Sequence, residues 1–155
     1  MTPLSPAIQT SPAHTLTRSV EHLTEEHVSK LRGDAAVHCH AVLHAHGRPT
    51  DRDVFFEACV VTSEFLSNVA RHAASPEAPT RATFYLQVLL ETDEVLIVVF
   101  DRSSKGPQVD TSAPGQQERG LGLGMVHSIT NGRWGWFPLP DGKAVWAICP
   151  LTWRN

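Results

Sequence analysis

Apolar residues recur at helical spacing through DVFFEACVVTSEFLSNVARHAA (residues 53–74), where Phe55, Cys59, Leu66, Val69 and Ala73 share one stripe and no Pro or Gly interrupts. Glu64 and Asn68 lie one turn apart, about 40° around the axis, on the face roughly opposite that stripe and between Val61 and Phe65. That face carries fewer Lys, Arg and Glu than a merely solvated one, so the pattern predicts a helix covered on both sides. A second helix is predicted from Thr24, its N-cap, through Val28, Leu31, Ala35, Cys39 and Val42 to a stop at Gly47 and Pro49. Gly33 inside it is a candidate break. Residues 15–22 alternate weakly and predict an edge strand. Residues 82–90 and 95–100 read as strands joined by a short connection, and VLIVVF is apolar enough for a central one. Residues 133–139 and 143–151 read as a last hairpin around Pro140-Asp141-Gly142.

This order predicts an α+β fold, a two-layer α/β sandwich with a mixed, mostly antiparallel sheet and helices on one face. Residues 1–14 read as a flexible tail, 15–152 as one domain and 153–155 as its end. SPEAPT (75–80) reads as a turn. Residues 102–119 have no periodicity, and a loop of that length in a compact domain is more often a functional lid than a connector.

Composition narrows the function classes. The 155 residues are 41% hydrophobic and 19% charged, ordinary for a globular protein. A net charge of −3 without a Lys/Arg run argues against nucleic-acid binding. Cys39, Cys59 and Cys149 are odd in number and form no CxxC, as expected of free thiols in the cytoplasm. No apolar run reaches the length of a membrane span, and no signal-peptide pattern opens the chain. The expectation is a cytoplasmic protein with no membrane partner.

Four short patterns carry candidate chemistry. A carboxylate and a carboxamide at Glu64 and Asn68 suit a cation and its water ligands, or else mark the rim of a helix packed between two layers. GLGLG (120–124), opening a short helix with Met125, Val126 and Ile129, suits an anion held by free N–H groups, or else a tightly packed helix start. No P-loop lysine follows, and no strand precedes it as in a dinucleotide fold. Asp101 at a strand end is a binding carboxylate or a turn residue. His40 and His44, at i and i+4 in a helix that also carries His38 and His46, suit a metal or a solvated face.

Taken in order, SEFLSNVARHA (63–73), VVFDRSSKGP (98–107), ERGLGLGMVHSITNGRWGW (118–136) and GKAVWAICP (142–150) resemble the ATP-binding domain shared by DNA gyrase, a heat-shock chaperone, sensor histidine kinases and a mismatch-repair ATPase. The closer resemblance is to the small bacterial anti-sigma-factor serine kinases and their actinobacterial relatives, over about residues 15–151. It implies that Glu64 polarises the attacking hydroxyl and that Asn68 binds the Mg²⁺ bridging the phosphates of ATP. It further implies that Asp101 accepts from the adenine amine and that Arg119 reaches the terminal phosphate. Gly120, Leu121, Gly122 and Leu123 would hold the phosphates through backbone N–H groups. The implied partners are a sigma factor and an anti-sigma-factor antagonist, and the implied assembly is a homodimer, for which Trp134, Trp136 and Trp153 offer interface candidates.

The sequence departs from the family pattern in two places. The glycines expected after Asp101 are replaced by Arg102-Ser103-Ser104, and Ala144 stands where relatives usually carry Thr. Three functions are therefore expected to compete: a regulatory ATP-dependent serine kinase, a non-catalytic ATP-binding anti-sigma-like switch, and a zinc protein using the histidine-rich helix.

Overall fold

The computed structural model describes residues 14–73, 81–103 and 117–152, with the side chains of 72, 73 and 117–121 outside that description. Most of the tail, the 75–80 turn, most of the expected lid and Trp153 lie outside the described residues as well. Elements follow in the order β1 (Thr15–Val20), α1 (Glu25–Ala45), α2 (Arg52–Asn68), β2 (Ala82–Leu89), β3 (Glu94–Asp101), α3 (Gln117–Thr130), β4 (Trp134–Leu139) and β5 (Gly142–Pro150). A π-helical turn, Val69–Ala73, continues α2. No helix among the described residues is long and apolar enough to cross a membrane.

Local chemistry accounts for the helix starts. Thr24 caps α1, accepting from the His27 N–H, while the His27 ring accepts from the Thr24 N–H; Glu25 and Glu26 fill the first turn. The helix runs through Gly33 without a break. Its buried stripe of Val28, Leu31, Ala35, Cys39 and Val42 is the one the spacing predicts. At α2, Asp51 holds the N-cap position but makes no side-chain cap, and the Val54 N–H bonds to its carbonyl instead.

The sheet runs β1-β2-β3-β5-β4, and every neighbouring pair is antiparallel, so the expected mixed sheet is replaced by an antiparallel one. The cause is the last hairpin. β3 and β4 run in the same direction after the α3 crossover, but β5 folds back between them and separates the two parallel strands.

Period-two alternation divides the sheet into two faces. Phe84, Leu86, Val88, Val95, Ile97, Val99, Val145, Ala147 and Cys149 join helix residues such as Leu43, Val61, Leu66 and Val126 in the main core. The opposite face holds a second apolar cluster, with Leu96, Val98 and Ala144 buried beneath Tyr85, Phe137, Trp146 and Ile148, and no helix residue belongs to it. Two apolar faces explain why β3 reads as a continuous apolar run. All three cysteines are buried free thiols; burial raises their pKa values, that of Cys149 to about 12.

Candidate functional site

Two polar positions meet where α2 faces α3. Glu64 and Asn68 are half-buried on α2, while Val61, Thr62, Phe65 and Leu66 around them are buried. The helix is thus covered over most of its circumference, as its composition predicts. A Cβ added to Gly122 would overlap Glu64 Oε2 and come within 3.2 Å of its Cδ. Glycine at 122 therefore gives the carboxylate its seat against α3.

The start of α3 differs from expectation. The helix begins at Gln117, so Gly120, Gly122 and Gly124 lie inside its first two turns and do not precede it. Gln117, Glu118 and Arg119 are strong helix formers, and they carry the helical backbone back through the glycines. The N–H groups left free by helical geometry belong to roughly the first four residues, ending near Gly120; those of Gly122 and Leu123 fall within the ladder. The side chains of Arg119 and Leu121 lie outside the described residues.

The third position is Asp101, which ends β3 on the helix-facing side of the sheet. Its side chain is fully buried, and Lys143 beside it is nearly so, 7% exposed. The Lys143 ammonium donates to Oδ1 at 2.9 Å, and the Ser103 N–H donates to the same oxygen at 2.8 Å. Oδ2 also lies 2.9 Å from the ammonium but accepts no hydrogen bond. The ammonium compensates the charge of this oxygen, which keeps lone-pair capacity for a further donor. The strands approach closely here because Gly142 opens β5: a Cβ at that position would strike the Asp101 carbonyl.

The register corrects the reading of the last hairpin. Asp101 pairs across the sheet with Lys143, while Ala144 pairs with Phe100 and packs in the opposite-face cluster with Leu96 and Val98. A hydroxyl at position 144 would point away from Asp101, so its absence removes nothing from this site. Lys143 is the residue that sequence reading missed. The available signal was the hairpin at Asp141-Gly142, whose register decides which residue of β5 shares the Asp101 face.

Of the two readings of the histidine-rich helix, the solvated face is the one that fits: His40, His44 and His46 are exposed. His40 and His44 stack with ring planes 12° apart and centroids 6.0 Å apart, so their rings do not converge on one ion. Among the described residues, no group of three or more His, Cys, Asp or Glu is arranged to hold a metal. The chain was compared with protein-family models and with curated proteins, and none of them matches it.

Proposed function

We propose that this chain is an ATP-binding regulatory protein, an anti-sigma factor with serine kinase activity toward an antagonist protein. One observation carries the reading: the Glu64 carboxylate is seated against Gly122, joining an acid–base group to the glycine-bearing start of a helix. Phosphoryl transfer needs that combination of a positioned nucleophile and compensated charge. Glu64 would accept the proton of the attacking serine hydroxyl. The first N–H groups of α3, with Gly120 and Arg119, would face the phosphates. Asn68, one turn beyond Glu64, offers a carboxamide oxygen to Mg²⁺ or its water ligands. Mg²⁺, when bound, would neutralise phosphate charge. Asp101 Oδ2, in ionic contact with Lys143 but without a hydrogen bond, is an acceptor that would fit the exocyclic amine of adenine.

The test is incubation with labelled ATP and candidate antagonist proteins, looking for label on serine. ATP binding itself should require Mg²⁺, and Asn68→Ala should remove most of the metal-dependent affinity. Calorimetry in Mg²⁺ giving equal affinity for wild type and Asn68→Ala would exclude that role.

The rival reading is a non-catalytic ATP-holding switch. Its supporting observation is the early start of α3, which places the Gly122 and Leu123 N–H groups within the helical ladder and leaves fewer donors for phosphate. Under either reading we expect a homodimer. Trp134 packs against the main core, which leaves Trp136, 43% exposed, as the described tryptophan suited to an interface. Sedimentation of the purified chain should show a dimer at micromolar concentration, and monomer alone would count against it.

A further inference from the structure

We infer that His14 and His46 form a binding site for one divalent transition-metal ion of the zinc, nickel or copper class. This inference is independent of the nucleotide reading. The two residues are far apart in sequence, His14 just before β1 and His46 at the C-cap of α1. Their Nε2 atoms lie 3.0 Å apart, with ring planes at 89° and centroids 4.9 Å apart. Without a metal, one of those nitrogens must carry a proton to hydrogen-bond the other. An ion takes the place of that proton. Two imidazole nitrogens on one tetrahedral or square-planar ion, each about 2.0–2.1 Å from it, stand roughly 2.9–3.4 Å apart. The observed separation falls within that interval, so little movement is needed on binding.

Two further features fit. The His38 Nε2–H donates to the His14 carbonyl at 2.8 Å, which anchors the backbone that carries the first ligand. This is the kind of outer contact that holds a metal ligand in orientation. His46 also lies at the negative end of the α1 dipole, where positive charge is favoured. Two imidazoles leave coordination positions for water, so the site would exchange its metal and would tie the segment before β1 to the end of α1. Mg²⁺ prefers oxygen ligands and should not compete for it.

The experiment is equilibrium dialysis of the full chain against Zn²⁺, with and without excess Mg²⁺. Wild type should take up one Zn²⁺ per chain in both conditions. His14→Gln and His46→Gln should each weaken binding by at least the roughly 10–100-fold seen for losing even an outer partner. The double variant His40→Gln/His44→Gln should bind as wild type does, because those two rings stack on each other and take no part in the His14–His46 contact. Zinc binding undiminished in His14→Gln and His46→Gln would overturn the site, as would loss of binding in the His40/His44 variant. No uptake by wild type would also overturn it.

Discussion

Asp101→Ala should destabilise the fold by about 3–5 kcal/mol, the cost of stranding one member of a buried ion pair. The Lys143 ammonium, 7% exposed, would remain in the sheet with its carboxylate partner gone. Urea unfolding should show the loss as a lower midpoint with an unchanged slope. Combining Asp101→Ala with Lys143→Met removes both charges and should recover part of the stability, because no uncompensated buried charge remains. If the double variant is no more stable than Asp101→Ala, the pair is not the source of the effect.

The same carboxylate bears on nucleotide choice. Guanine presents a carbonyl oxygen where adenine has its amine, which would set two buried acceptors face to face at a cost of a few kcal/mol. GTP should therefore fail to displace ATP at equal concentration. Displacement by GTP would remove Asp101 from base recognition and leave it a structural role with Lys143.

Glu64→Gln should lower phosphoryl transfer by the roughly 10²–10⁴-fold typical of losing a general base, while ATP affinity stays near that of wild type. The fall would be smaller if positioning contributes more than proton transfer, as is common in phosphoryl transfer. Gly122→Ala should give a related loss without changing the charge, because its Cβ would overlap Glu64 Oε2 and displace the carboxylate from its seat. Single-turnover transfer measured beside nucleotide affinity separates the two functional readings. Wild-type transfer that persists undiminished in Glu64→Gln would exclude this residue from the mechanism. Tight ATP binding with no wild-type transfer to any partner would favour the switch.

Most of the fold was legible in the chain, for local reasons. The α1 stripe, the Thr24 cap, the β2 and β3 runs and the final hairpin are written in periodicities of 3.6 and 2 and in turn residues, and these act within a few positions. The α3 start was misplaced because glycines signal a break only until stronger helix formers upstream carry the helix through them. The placement of Glu64 beside Asn68 also follows from helix geometry alone. Three contacts did not follow from sequence: Lys143 on Asp101, Glu64 on Gly122, and His14 on His46. Each joins residues from different elements, and its existence depends on strand register or helix docking. A shift of one residue in the β3–β5 register would turn Lys143 to the opposite face and put Ala144 in its place. The sequence by itself therefore determined which elements form and which residue types they carry. Only packing of the sheet against its helices decided which of those residues meet, because side-chain neighbours across elements are set by long-range burial, which local patterning does not encode.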